Sequence, residues 1–432
     1  MPMRGLRLFA LAVTVVAAAL AAAALAPAQE MIDAQQTGCT RSADPSNAQA
    51  QINAADAGDV ICMAAGVYRG PLRIEGKTRV TLRGAGEHQT IIAGGSVDAL
   101  LIFRSRDLVL EDFKLYFGQP AGAYVWGSQN VLFQRVHAGG GGVGIHYDAG
   151  SIGRITDSMV YAMAGDGVLT RNAANVAIER SWIIDNGGVG VSTVGRTATT
   201  TVTRNIISHN RGPGVFAGQT PCALLPPGFV EVPECYLRNL PAFVGEANVI
   251  LRENVIQSSG STGIVLFPGT GATMSGNRIW RNELTGLFAW GASVSSEGDE
   301  YDANEEHAIE LRAYPDPLKY PEVPSSQRIR AVARINNNEI RNSVVLAETG
   351  TLGGGVLAQG ANAHVTNSRV YGNRGIGVSY VNTSVGSIIG NEIFGNGGSA
   401  ICLHVAGAVT VSANVIFGNS RDGVGVCHET TP

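Results

Sequence analysis

The chain has 432 residues, 56 of them Gly, and only 15% are charged, a composition that excludes a disordered chain or a helical enzyme and fits an extended β architecture dense in turns. A formal net charge of −4 leaves no electrostatic footprint for nucleic acid or an anionic membrane, so both classes of partner are set aside. The length would ordinarily mean two or three domains, but repeat folds escape that expectation because each unit packs only on its neighbours.

Residues 1–28 read as a signal peptide. Arg4 and Arg7 precede an apolar run from Leu8 to Leu25, and the small-residue site Ala26-Pro27-Ala28 follows. An uncleaved N-terminal anchor is the alternative, because the run is nearly long enough to span a bilayer. No later segment could cross a membrane. The mature chain, 29–432, is expected in the periplasm or outside the cell.

Next, residues 46–66 predict a capping segment: a short helix with Ser46 as N-cap and Ile52 facing inward, a Gly58-Asp59 turn, and a strand from Val60. Such a segment would cover the first coil of a solenoid, whose end strands otherwise expose unpaired backbone.

From residue 155 a unit of about 23 residues recurs. One polar column reads Ser158, Ser181, Asn205, Asn254, Asn277, Asn338, Ser368, Asn391 and Asn414, and a second, five residues later, reads Asn186, Asn210, Asn282, Asn373, Asn396 and Asn419. Two columns locked to one period mean stacked coils. Stacking brings equivalent residues within about 4.8 Å, so asparagine amides can bond along the stack, and Asn tolerates the left-handed backbone of corners. A column of Ile145, Val168, Val191, Val215, Ile264, Leu287, Val356, Val378, Ile401 and Val426 should face the core. The fold class that follows is all-β: a single right-handed parallel β-helix, with loop insertions at about 219–247 and 291–332. No cap is visible after Val426, which leaves self-association through the C-terminal end as a possible partner mode.

Six cysteines in an exported chain imply three disulfides. Cys402 and Cys427, in the outward column 25 residues apart, should be stacked neighbours; Cys222 with Cys235 would close one loop, and Cys39 with Cys62 would staple the N-terminal end.

The stretches Ile52-Asn53-Ala54-Ala55, Gly58-Asp59-Val60-Ile61, Ala65-Gly66-Val67-Tyr68 and Val80-Thr81-Leu82-Arg83-Gly84-Ala85-Gly86 resemble the start of many parallel β-helix repeat proteins of the pectate-lyase-like superfamily. The resemblance covers nearly all of the mature chain and implies the fold, but that superfamily includes lyases, hydrolases, epimerases, esterases, adhesins and accessory proteins. Paired aspartates of the polygalacturonase kind are missing, as is the Asp-Pro-His-Asp signature of alginate epimerases, to which Ile145-His146-Tyr147-Asp148 is only loosely similar. The lysines Lys77, Lys114 and Lys319 sit in no evident constellation that would supply a lyase base.

Three groups could carry function. His146, Tyr147 and Asp148 share a strand, and Arg171 lies one 23-residue coil after Asp148; Arg171 could hold a uronate carboxylate, His146 take the C5 proton and Tyr147 protonate the leaving oxygen. Strict alternation turns Tyr147 towards the core, and a surface ion pair of Asp148 with Arg171 is the bland alternative. Phe216, Phe267, Phe288 and Trp290 form an outward aromatic group suited to sugar rings, or simply packed beneath the insertions. The acidic run Glu297, Asp299, Glu300, Asp302, Glu305 and Glu306 in the second insertion could hold Ca²⁺, though its spacing matches no EF-hand; no other cofactor is implied. A second stack, Asp112 with Arg135 and Lys114 with His137, reads as sheet stabilisation. The expected function is a polysaccharide-directed protein, either a lyase or C5-epimerase on an acidic glycan or a non-catalytic carbohydrate-binding or surface-structural protein.

Overall fold

The computed structural model describes residues 38–218, 246–315, 328–344 and 353–426. The proposed signal peptide, the first insertion at 219–245, and Cys222, Cys235, Lys319 and Cys427 lie outside the described residues.

Short strands of three to six residues alternate with corners, and most coils give two strands to a 27-stranded sheet and one to a 14-stranded sheet; in two early coils the first two run together as Arg106–Tyr116 and Gln129–Gly139, eleven residues each. Strands one coil apart pair in parallel with constant register, as in Ile145↔Val168 and Val168↔Val191. The interior is a column of aliphatic side chains, Ile145, Val168, Val191, Val215, Ile264, Leu287, Val356, Val378 and Ile401, all buried. Fully burying each contributes about 1.5–3 kcal/mol, and this column packs against inward columns of the other sheet such as Ile155, Ile178 and Ile183.

The first polar column forms an unbroken ladder from Ser158 to Asn414, in which each backbone N–H donates to the side-chain oxygen one coil on: Ser181 to Asn205 at 2.8 Å, Asn205 to Asn254 at 2.9 Å, Asn391 to Asn414 at 2.9 Å. The second is interrupted at Ser259 and Ser343, whose hydroxyls take no partner among the described residues. In the second column Asn373 donates to Asn396, and Asn396 to Asn419. These bonds satisfy corner amides that a sheet ladder does not reach. The left-handed backbone falls one residue earlier than expected: Arg180 (φ 47°), Arg204 (φ 57°) and Glu253 (φ 53°) adopt it, and no ladder asparagine does. Asparagine is therefore selected for its amide rather than for its backbone tolerance.

Several expectations are corrected. The helix is Ala48–Ala54, its N-cap position is Asn47, and Ser46 instead donates to Asp44; Ile52 is buried as expected. Residues 291–332 are not one insertion. Ser293–Glu297, Glu300–Asp302 and Ile309–Arg312 form a regular coil. Asp299, 22 residues after Asn277, holds its ladder place, and that substitution hid the coil. The acidic run is accordingly dispersed around the coil: Asp299 is buried in the ladder, while Glu300 and Asp302 pair with Arg341. Among the described residues no three His, Cys, Asp or Glu side chains gather for a metal.

Cys39 and Cys62 are disulfide-bonded, closing the first coil where Arg41–Ala43 pairs with Ile61–Met63. Cys402 is also disulfide-bonded. Its register partner is Gly425, after an irregularity that brings Val424 opposite Ile401; Val426, expected inside, is 74% exposed. Val405, Val415 and Phe417 in the same final coil are exposed as well.

Candidate active site on the 14-stranded sheet

The outer face of the 14-stranded sheet carries two side-chain columns. Constant register makes the first Leu101, Tyr124, His146, Leu169 and Ser192, and the second begins Phe103, Trp126 and Asp148. The pairing of Tyr147 with Thr170 sets Asp148 level with Arg171 on the next strand. Three adjacent coils thus bring Tyr124, His146, Asp148 and Arg171 together.

Asp148 is the hub. Its Oδ1 accepts from Asn172 Nδ2 at 2.8 Å and from the Ala149 amide at 2.7 Å. The Tyr124 hydroxyl donates to Oδ2 at 3.3 Å, and His146 Nε2 lies 3.8 Å from the same oxygen, beyond hydrogen-bond reach. The Tyr124 and His146 rings are 5.0 Å apart. The expected ion pair of Asp148 with Arg171 does not form; Asn172 occupies the carboxylate instead, and Arg171 Nε is buried without a hydrogen bond. His146 Nε2 is likewise buried and unpartnered.

Burial pushes the His146 imidazole down to about 4, against the opposing pull of Asp148, with Arg171 lowering it further. The ring is therefore a neutral base at ordinary pH. Burial and then the Asp148 carboxylate push the Tyr124 hydroxyl up to about 12, so it stays protonated and can act only as an acid.

Tyr147 does not belong to this group. It is fully buried, its hydroxyl donates to the Val131 carbonyl at 3.0 Å, and its ring fills the space left by Gly153, where a Cβ would come within 2.2 Å of it. The tyrosine beside His146 and Asp148 is Tyr124. Alignment of the outward column 22 residues before His146 would have found it, because this step is one residue shorter than the 23-residue steps on either side.

The aromatic group is also revised. Phe216 and Trp290 are buried, the indole N–H donates to the Ala313 carbonyl at 2.8 Å, and the rings pack edge-on: Phe216 on Phe267 at 5.1 Å, Trp290 on Tyr314 at 5.0 Å. Phe267 and Phe288 are half-buried against Val194, Phe216 and Val265. These four residues form a satellite core. The rings open to solvent beside the candidate site are Trp126, 39% exposed, and the half-buried Phe103.

The family model described as "Right handed beta helix region" matches residues 83–223 and 325–431, more than half of the chain. The protein belongs to the right-handed β-helix family. No curated protein matches this β-helix chain. Among solved structures it is similar to the A-module of Azotobacter vinelandii mannuronan C-5 epimerase AlgE6, with a TM-score of 0.61 and 18% identity over 89% of this chain and 98% of that one. The AlgE4 A-module of the same organism gives 0.56 and 16%, over 91% and 99%. The β-helix is similar as well to the pre-mature bacteriophage phi29 gene product 12, with a TM-score of 0.54 and 12% identity over 85% of this chain and 53% of that one. At these identities the likeness is one of fold.

Proposed function

We propose that this protein is an exported, polysaccharide-acting enzyme that removes the C5 proton of a uronate residue, as a lyase or a C5-epimerase. The observation that carries the reading is His146: a buried imidazole, neutral above about pH 4, whose Nε2 has no hydrogen-bond partner and sits between a protonated tyrosine and an unpaired arginine edge.

Arg171 holds the substrate carboxylate and stabilises the negative charge that spreads onto it when C5 loses its proton. His146 takes that proton. Asp148 raises the basicity of His146 electrostatically and accepts from Tyr124. Tyr124 then protonates the glycosidic oxygen as the bond to C4 breaks, which gives an unsaturated uronate. If that bond holds, a proton delivered to the opposite face of C5 gives the epimer. Trp126 and Phe103 offer apolar faces to neighbouring sugars.

The epimerase activity named for the two A-modules belongs to this class of proton abstraction and supports the reading. Disulfide bonding at Cys39, Cys62 and Cys402 suits an oxidising compartment and supports export. Among the described residues no helix is long and apolar enough to cross a membrane.

The test is incubation of the protein with polymannuronate or polygalacturonate in D₂O. Deuterium at C5, read by NMR, is expected of epimerisation, and ultraviolet absorbance of unsaturated ends is expected of elimination. Absence of both signals on every polyuronate would overturn the proposal.

A further inference from the structure

The strands that precede the candidate site in the same coils carry a second group. Lys114 stands in register with His137, and Tyr116 with Gly139 and then Tyr161. The Lys114 ammonium lies 4.6 Å from the Tyr116 ring centre and 5.4 Å from that of Tyr161. Gly139 makes this possible: a Cβ there would come within 2.8 Å of the Tyr161 ring, which rests on its backbone. Phe117 packs edge-on against Tyr116 at 4.3 Å and is 50% exposed.

Lys114 has no ion pair among the described residues, whereas Arg83, Arg135 and the corner residue Arg180 each meet a carboxylate; the nearby Glu87 contacts His88 instead, at 3.7 Å. Arg252 and Arg334 of this sheet also lack an ion pair among the described residues, and what distinguishes Lys114 from them is that two rings frame its ammonium. Phe117 also occupies a left-handed corner (φ 49°) that the following coils give to Gly140, Ala162, Asp185 and His209. Phe117 is the aromatic carbocycle among these corner residues, and half of its surface remains in water. A cation framed by rings, with an exposed aromatic beside it, fits a sugar that carries a carboxylate.

We propose that Lys114, Tyr116, Phe117 and Tyr161 form a second glycan contact that takes one carboxylated sugar residue outside the proton-abstraction site. Lys114 pairs with the carboxylate, and the rings cover the apolar C–H face. The strand that ends at Tyr116 leads through the Phe117–Pro120 corner directly into Ala121–Trp126, which bears Tyr124. The contact and the active site therefore flank one corner, and a polymer of several residues reaches both. The choice of an acidic glycan rests on the proposed function; the test does not depend on turnover.

The experiment is titration calorimetry of polymannuronate on a variant whose active site is disabled by His146→Ala and Arg171→Met. That variant is expected to retain binding, and adding Lys114→Met is expected to weaken it about tenfold, whereas Lys114→Arg retains it and cellohexaose shows no binding in any variant. Unchanged affinity on adding Lys114→Met, or no binding in the disabled background, would overturn the second contact. Failure of the active-site reading has a separate signature, namely absence of both C5 exchange and unsaturated ends in the parent protein. Circular dichroism of each variant confirms the fold, which the half-exposed position of Lys114 leaves undisturbed.

Discussion

Asn277 donates both its backbone N–H, at 2.7 Å, and its side-chain amide, at 2.8 Å, to one oxygen of Asp299. An ionisable carboxyl thus takes a place that an amide or hydroxyl holds in the other coils of this ladder. Ser296 donates to the other oxygen at 2.7 Å and itself accepts from Asn338. Burial pushes the Asp299 carboxyl up, although these donors pull it down. A raised carboxyl stabilises the fold fully below its unfolded-state value, near 3.9, and that contribution is lost as pH rises through the folded-state value. Asp299→Asn should therefore raise the thermal midpoint at pH 7, by about 1 kcal/mol in stability, and flatten its dependence on pH between acid and neutral. Melting curves across that range check this; an equal loss at all pH values would contradict it.

Tyr124→Phe should lower turnover on polyuronate about 10²–10⁴-fold while leaving the melting midpoint nearly unchanged. Tyr147→Phe should do the reverse, preserving turnover and costing about 1 kcal/mol for the lost bond to Val131. Measuring both quantities on both variants tests which tyrosine is the acid.

The rate should rise with pH through about 4, as His146 loses its proton, and fall only as Tyr124 ionises near 12. Asp148 raises both groups. In Asp148→Asn, then, both limbs of the pH profile should shift downwards. The His146 shift also acts on stability: a depressed imidazole stabilises the fold above its unfolded value, near 6.5, and that contribution is lost as pH falls towards 4.

Trp290→Ala should lower the melting midpoint, with a cost of about 3–5 kcal/mol for a core aromatic, and leave affinity for glycan chains unchanged. Trp126→Ala should weaken glycan affinity with little effect on melting. Affinity electrophoresis alongside calorimetry separates the two.

The period, the inward aliphatic column and the asparagine ladders were legible because stacking repeats the same chemistry at each coil. Where chemistry changed within a column, the reading failed. Asp299 in place of Asn concealed a coil, and the 22-residue step from Tyr124 to His146 concealed the tyrosine proposed as the acid. Alternation correctly placed Tyr147 inside, which already argued against its role as acid. For the aromatic group the sequence left sugar binding and packing both open, because strand parity tells which face a side chain leaves, not what lies over it: Phe216 and Trp290 leave the outer face and are covered. Which oxygen of Asp148 would be taken by Asn172 depends on rotamers that spacing does not encode.

Constant register gives the candidate site an unusual genetic economy. Tyr124, His146 and Arg171 come from three successive coils, and those coils touch only their neighbours. Deletion of one whole repeat far along the axis, such as 362–384, would shorten the rod by about 4.8 Å and leave the chemistry in place. Insertion of a single residue between Ala121 and Tyr124 would turn the tyrosine into the core and its neighbour out. In such a molecule the repeat, rather than the residue, is the unit in which length can evolve without loss of function.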